Sequence, residues 1–292
     1  MASEVSVIVP AYNAEGEIAD CLQSLASLDY PKKKVEIIIV DNNSDDSTAD
    51  IVKAYPVTYV FEGRRGSYCA RNAGIRKSSG RLVAFTDADC VVDREWLKRI
   101  LKPFSNPKVA VVGGRIAAYH PITLVERYCA LKAFPQEKFL SRPIPFAATA
   151  NAAFRRKILE DVGLFDGSFT SGGDEEVCWR IKQKGYTVAY EKDAVVYHKH
   201  RKTLAELFAL YVKYGKGQSR LYKKYGRSQI DLSGYGAIAL NIAVRTPWRL
   251  FTCWTAQDKS LYAATPLCDA VAIAGFKTGS IIGSMRNKVV FI

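Results

Sequence analysis

Two carboxylates one residue apart, Asp87 and Asp89, follow the apolar run Leu82-Val83-Ala84-Phe85 with only Thr86 between. A buried strand should stop there, so both acids emerge at its end. Mg2+ and Mn2+ take oxygen ligands, usually one or two from carboxylates and the rest from water and substrate phosphates. A short acidic pair therefore suits a cation held against a diphosphate. Acidic pairs are also common in solvated turns, so the triplet Asp87-Ala88-Asp89 does not decide the matter alone.

The surrounding elements supply the context. Val5–Val9, Val35–Val40, Val57–Phe61, Arg81–Phe85 and Val109–Val112 are short β-branched runs bounded by turn residues. Between the first four lie helical patterns: Ile18, Leu22, Leu25 and Leu28 repeat at helical spacing, Asp45-Asp46-Ser47 opens a second helix, and Ser67–Lys77 forms a third. Strand and helix in alternation predict parallel strands joined by right-handed crossovers, and such sheets bind ligands at the carboxyl ends of their strands. Those ends carry Pro10-Ala11-Tyr12-Asn13, Asp41-Asn42-Asn43-Ser44 and Asp87-Ala88-Asp89. Three polar clusters are thus expected at one crevice. Neither GxGxxG after the first strand nor GxxxxGK[ST] anywhere is present, so a dinucleotide fold and a P-loop are unsupported.

Four ordered blocks, PAYNAEGEI (10–18), VDNNSDDST (40–48), RNAGIRKSSGRLVAFTDAD (71–89) and GGDEEVCWRIKQKGY (172–186), resemble the inverting family 2 glycosyltransferases of the GT-A fold over roughly residues 4–220. The resemblance implies an α/β nucleotide-diphospho-sugar transferase fold, a mainly parallel central sheet flanked by helices, with a helical C-terminal extension. It places Pro10, Ala11 and Tyr12 around the nucleobase and ribose, and Asp41 on the base edge; the alternative for Asp41 is an Asx turn or helix cap. Arg71 is implied to face the base or diphosphate, or else to form a surface ion pair, while Asn72 braces its loop. Asp87 and Ala88 fall on the donor, with Asp87 near the ribose or metal-bound water. Asp89 falls on a Mn2+ or Mg2+ ion that bridges the diphosphate and stabilises charge growing on the leaving group.

The same resemblance makes Asp174 the base that takes the acceptor hydroxyl's proton in a one-step inverting displacement, with Glu175 as the fallback and Glu176 supporting the helix. The alternative for Asp174 is helix N-capping. The family pattern carries Glu-Asp here, and in this chain Gly173 stands at the Glu position. Asn151 corresponds to the segment lining the donor sugar, with a backbone-bracing amide as the alternative. Phe169 and Trp179 are stacking candidates or core. A His after the late strand Ala194–Tyr197 often completes the metal or diphosphate site in such enzymes, which points to His198 ahead of His200; imidazole suits Mn2+ better than Mg2+.

Composition bounds the rest. With 292 residues, 48% hydrophobic and 24% charged, the chain is a globular protein. Seven scattered cysteines never form CxxC, which argues against a disulfide framework or a zinc site. No secretory signal is readable at the N-terminus, and a cytoplasmic location follows as an expectation. The net charge of +13 is uneven: Lys199–Arg227 holds nine Lys or Arg against the single acid Glu206. Such a stripe attracts phosphate on nucleic acid, on an anionic membrane or on an acceptor, or is a solvated helix face. Thr203-Leu204-Ala205-Glu206 is a capping box opening a helix with an apolar and aromatic stripe, which Gly215 and Gly217 are expected to break.

The catalytic domain is accordingly expected over 1–230 and an apolar helical extension over 231–292. The charge-free run Leu232–Val244 is too short to span a bilayer. Monotopic contact with the inner face of the cell membrane suits a lipid-linked or saccharide acceptor. The leading reading is sugar transfer from a nucleotide-sugar, UDP-linked, in envelope polysaccharide or glycolipid synthesis; nucleic acid is not an expected partner, and the oligomeric state is left open. The competing readings are a sugar-phosphate nucleotidyltransferase, which should show a Gly- and Arg/Lys-rich loop absent from PAYNAEGEI, and a non-catalytic basic binding module.

Overall fold

The structure, a computed structural model, describes residues 3–132, 135–142, 145–226, 240–252 and 258–291. Its sheet has eight strands: β1 (Val5–Ala11), β2 (Val35–Asp41), β3 (Thr58–Phe61), β4 (Leu82–Thr86), β5 (Cys90–Val92), β6 (Val109–Ala118), β7 (Asn151–Arg155) and β8 (Thr187–His198), in the order β3-β2-β1-β4-β7-β6-β8-β5. The helices are α1 (Ile18–Ala26), α2 (Thr48–Lys53), α3 (Ser67–Lys77), α4 (Trp96–Leu101), α5 (Leu124–Lys132), α6 (Gln136–Leu140), α7 (Arg156–Asp161), α8 (Gly173–Gln183), α9 (Leu204–Tyr225), α10 (Thr246–Thr252) and α11 (Lys259–Asn287).

β1 to β4 are parallel, as the alternation of strand and helix requires. The sheet then turns mixed, because β7 runs antiparallel to both β4 and β6 and β5 antiparallel to β8. β1 and β4 bury every side chain but one, and α1 presses Ile18, Cys21, Leu22 and Leu25 onto the sheet. Burial on both faces explains why these strands read as continuous apolar runs rather than alternating ones. Phe85, Phe154 and Phe165 meet edge to face, with centroids 5.5 to 5.9 Å apart, and fix the segment before α8 against β4 and β7.

The chain divides into two compact units. The first takes 1–119, 134–168 and 173–198, and holds the whole sheet; the second takes 120–133, 169–172 and 199–292. The boundary expected near residue 230 lies outside the described residues, as does 231–239 of the apolar run Leu232–Val244. Helix α9, read from sequence as the end of the catalytic domain, groups with the second unit.

Thr203 caps α9 as expected, donating nothing and accepting from Glu206 N while the Glu206 carboxylate accepts from Thr203 N. The break expected at Gly215 and Gly217 does not occur, and α9 runs through both. Close packing is the reason. A Cβ on Gly215 would lie 2.1 Å from the Phe276 carbonyl oxygen, and one on Gly279 would lie 2.1 Å from that of Val212. Gly275, Gly279 and Gly283, each one helical turn after the last, let the backbone of α11 approach α9. No helix among the described residues is long and apolar enough to cross a membrane.

Candidate active site

Asp87 and Asp89 follow β4 directly, and Cys90 begins β5. Antiparallel pairing sets Cys90 opposite His198, so the last residue of β8 arrives beside Asp89. His198 Nε2 lies 3.5 Å from Asp89 Oδ1, and ligand atoms of Asp89, Cys90 and His198 fall within 4.8 Å of one another. His200 is not part of that group. Burial, reinforced by the Asp89 and Asp87 charges, pushes the Cys90 thiol well up. Of that group, the Asp89 carboxylate and the His198 imidazole offer an oxygen and a nitrogen, a donor set that fits Mn2+. The residues fit the cation that the family pattern implies.

Arg71 holds the other acid of the pair. Its Nη2 donates to Asp87 Oδ1 at 2.5 Å from a side chain only 4% exposed, so the surface ion pair considered from sequence is a buried one. Arg71 Nε is buried with no protein hydrogen-bond partner among the described residues. Three residues earlier on the same face of α3 lies Tyr68, with the Arg71 guanidinium 5.5 Å from its ring centroid. The Tyr68 hydroxyl donates to Asp174 Oδ1 at 2.8 Å, and Thr149 N donates to Asp174 Oδ2 at 3.3 Å. Asp174 lies inside the first turn of α8 and not at its cap. Contacts therefore run from Asp174 through Tyr68 and Arg71 to Asp87, which stands two residues before the Asp89 of the Asp89–His198 pair.

The residues that the family pattern assigns to the base edge assemble by register. Ala11 pairs with Asp41 across β1 and β2, and Asn42 N donates to Ala11 O at 2.7 Å. Pro10 is half-buried and Ala11 buried, while Tyr12 is exposed and its hydroxyl accepts from Arg65 Nη1 at 2.6 Å. Arg65 also lies 4.7 Å over the Tyr12 ring. Asp41 is buried: Oδ1 accepts from Ser44 N in a turn, and Oδ2 accepts from the Tyr59 hydroxyl at 2.9 Å. Burial and that bond to Asp41 push Tyr59 up to about 12, so its hydroxyl donates throughout the neutral range. Asn42 draws in the loop before α3, accepting from Gly66 N and donating to the carbonyls of Glu62 and Arg64.

Asn151 is corrected. Its side chain is wholly buried: Nδ2 donates to the carbonyls of Arg115 and Ala194, and Oδ1 accepts from Trp96 Nε1. The amide braces β6, β7 and β8 and is out of reach of a sugar. Asn72 braces as expected, exchanging two hydrogen bonds with the Phe165 backbone. Ala88 is buried between the two acids. Glu175 is half-buried on α8, and Glu176 is buried in a two-bond pair with Arg180, which also donates to the carbonyls of Val162 and Leu164. Phe169 is core in the second unit, beneath Arg220, and Trp179 is half-buried.

Sequence reading missed Tyr68, Tyr59, Arg65 and Arg180. Tyr68 had one signal, its place three residues before Arg71 on a helix; the others become partners only through tertiary contact. A hollow of 670 Å³ lies near the opposite strand ends, lined by Glu4, Lys34, Arg81 and Arg156 among others. There Arg81 and Lys34 pair with Glu4, and Arg156 with Glu160.

The sequence profile described as glycosyl transferase family 2 matches residues 6–163. Glycosyltransferase AglE of Haloferax volcanii is 35% identical over 82% of this chain and 80% of its own length. A Methanococcus voltae dolichyl N-acetyl-alpha-D-glucosaminyl phosphate 3-beta-D-2,3-diacetamido-2,3-dideoxy-beta-D-glucuronosyltransferase is 24% identical over 75% of this chain and 74% of its own. The chain spans about half the length of several other curated relatives it matches. Among solved structures, a mannosyltransferase from Pyrobaculum calidifontis, in complex with GDP-Man and Mn2+, superposes with a TM-score of 0.64 at 23% identity, covering 99% of this chain and 88% of that one.

Proposed function

The chain belongs to glycosyl transferase family 2, and on that premise we propose that it moves a sugar from a UDP-sugar to an acceptor hydroxyl, with inversion, in envelope polysaccharide or glycolipid assembly. The observation that carries the reading is the contact series from Asp174 through Tyr68 and Arg71 to Asp87, two residues before the Asp89–His198 pair, which sets a carboxylate suited to proton abstraction in one network with the strand end that carries a pair suited to a cation. A sugar-phosphate nucleotidyltransferase and a non-catalytic module both leave that series without a purpose.

Each step falls to a residue of this chain. Asp41 accepts from the base edge, and Pro10, Ala11 and Tyr12 flank the nucleoside. Arg71 faces the diphosphate with its buried Nε, while its pairing with Asp87 holds the guanidinium in place. Asp89 and His198 would hold Mn2+ or Mg2+, which would supply neutralisation of the charge growing on the diphosphate. Asp174 takes the proton of the acceptor hydroxyl as that oxygen bonds to the anomeric carbon and the bond to the diphosphate breaks, releasing the nucleoside diphosphate.

The second unit suggests where the acceptor resides. In 240–252 Asn241 is buried and Arg249 stacks on Tyr262 of α11, whereas Leu240, Val244, Trp248 and Phe251, at helical spacing, are exposed. Arg245, Arg286 and Lys288 lie exposed on the same unit. An outward apolar face on a segment that also exposes Arg245, in a unit with further exposed cations, matches an anionic lipid surface, with the helix lying in the interface. On this reading the enzyme is peripheral at the cytoplasmic face of the membrane and acts on a lipid-linked or saccharide acceptor; the Methanococcus relative is named for a dolichyl-linked substrate.

Thermal unfolding with UDP, GDP or ADP, each with Mn2+ or a chelator, tests the reading, followed by mass spectrometry of products from a nucleotide-sugar panel. The expected result is Mn2+-dependent protection by UDP and a hexose-sized mass gain on the acceptor. Protection by GDP alone would transfer the donor assignment to the nucleotide held by the Pyrobaculum enzyme. Protection by no nucleotide would overturn the reading.

A further inference from the structure

α8 begins with Gly173 where the family pattern implies a glutamate, and the space that a side chain would occupy is filled. A Cβ on Gly173 would lie 2.8 Å from Cε2 and Cζ of Tyr68, a separation that real side chains do not show. Gly173 N donates to the Tyr68 hydroxyl oxygen at 3.0 Å, and the hydroxyl passes its own proton toward Asp174 Oδ1. The ring cannot swing away. It is 5% exposed, stacked on Phe165 with centroids 5.6 Å apart and planes at 25°, and covered on α3 by the Arg71 guanidinium.

We infer that Tyr68 is the positioning residue for Asp174, and that it occupies the place of the carboxylate that Gly173 replaces. The claim rests on Asp174 being the proton acceptor and names how this chain orients it. With Oδ1 held by the hydroxyl and Oδ2 by Thr149 N, the plane of the carboxylate is set from both sides, leaving further acceptor lone pairs for the incoming hydroxyl. A tyrosine whose hydroxyl receives one backbone hydrogen bond and makes one side-chain bond has a single orientation, which a solvated aspartate at a helix start does not. Burial and the Asp174 charge keep the hydroxyl protonated and therefore a donor. The coupling also explains an otherwise costly pairing: glycine in the first turn of a helix is tolerated because the aromatic ring needs its bare Cα.

Tyr68→Phe keeps the ring and deletes only the donor. The expected result is a kcat about 10- to 100-fold lower, with the donor KM and UDP–Mn2+ protection nearly unchanged. The other titratable or charged groups near the pair, Arg71 on α3 and Glu175 and Cys178 on α8, are unaltered in this variant. A wild-type kcat in Tyr68→Phe would overturn the proposal, and so would loss of UDP–Mn2+ protection in step with kcat, which assigns the tyrosine to folding. If that variant shows no melting transition, Gly173→Ala carries the test by pushing the ring off Asp174: a tenfold or greater loss in kcat with protection kept supports the inference, and an unchanged kcat refutes it. Asp174→Asn, measured in parallel, separates the two levels. An active Asp174→Asn would refute the base assignment itself, whereas an inactive one beside a fully active Tyr68→Phe would refute only the role of the tyrosine.

Discussion

Helix α1 of the sheet-bearing unit and the segment 240–252 of the second unit bury opposite kinds of surface. In the sheet-bearing unit, α1 hides Ile18, Cys21, Leu22 and Leu25 and turns its polar face to water, the usual arrangement for a helix covering a sheet. In the second unit, the segment 240–252 hides Asn241 and lays Arg249 on Tyr262 while Trp248 and Phe251 are 63% and 79% exposed. The long helices of that unit meet through glycines, and those of the first through branched and aromatic side chains. The first unit accounts for its own hydrophobic residues and spends its polar ones on a site. The second holds apolar residues that its own core does not use.

The comparison is broken most severely at Asp174. Asp174→Asn is expected to lower kcat by about 10³-fold, within the range for removing a general base, while UDP–Mn2+ protection in a thermal melt stays near wild type. Equal loss of protection would make Asp174 structural. Asp89→Ala comes next: Mn2+-dependent protection by UDP should vanish and kcat/KM fall by about 10²-fold or more, with a chelator giving the same loss in the unaltered enzyme. Protection that survives in Asp89→Ala would remove the cation from residues 89 and 198.

On the other side of the comparison, replacing Trp248 and Phe251 together by Ser should weaken binding to vesicles of phosphatidylglycerol and phosphatidylcholine by at least about tenfold, since each buried aromatic contributes roughly 1.5–3 kcal/mol. Sedimentation with the vesicles measures it, and transfer to a water-soluble acceptor should be unaffected. Unchanged sedimentation would show that the outward face serves something other than lipid. The smallest effect is expected for Gly279→Val, which forces α11 away from the Val212 carbonyl and should cost about 1–3 kcal/mol of stability in chemical unfolding. A neutral Gly279→Val would mean that α9 and α11 do not need their close approach.

Much of the first unit was legible because strand and helix periods survive in a sheet covered on both faces. The third helix was read at Ser67–Lys77 and found there, and the capping box at Thr203 marked the start of α9. The pairing of β7 between β4 and β6 was not legible, since strand order is a matter of long-range register and leaves no local pattern. Asn151 shows the cost. Its amide looked equally fit for a sugar or for backbone, and only the approach of Arg115, Ala194 and Trp96 assigned it to backbone. Gly215 and Gly217 misled for a related reason: glycine in a helix reads as a break until a second helix is found within touching distance.

From the amino-acid order alone came the acids at 87, 89 and 174, the parallel first half of the sheet and the family to which these belong, because motif spacing and hydrophobic period are properties of contiguous chain. Tertiary structure alone decided that Tyr68 joins Asp174 to Arg71, that β5 and β8 bring His198 to Asp89 across more than a hundred residues, and that 240–252 turns its apolar side outward. Contacts between distant segments depend on which faces meet when the chain closes, and that choice is made by packing and register rather than by any local run of residues.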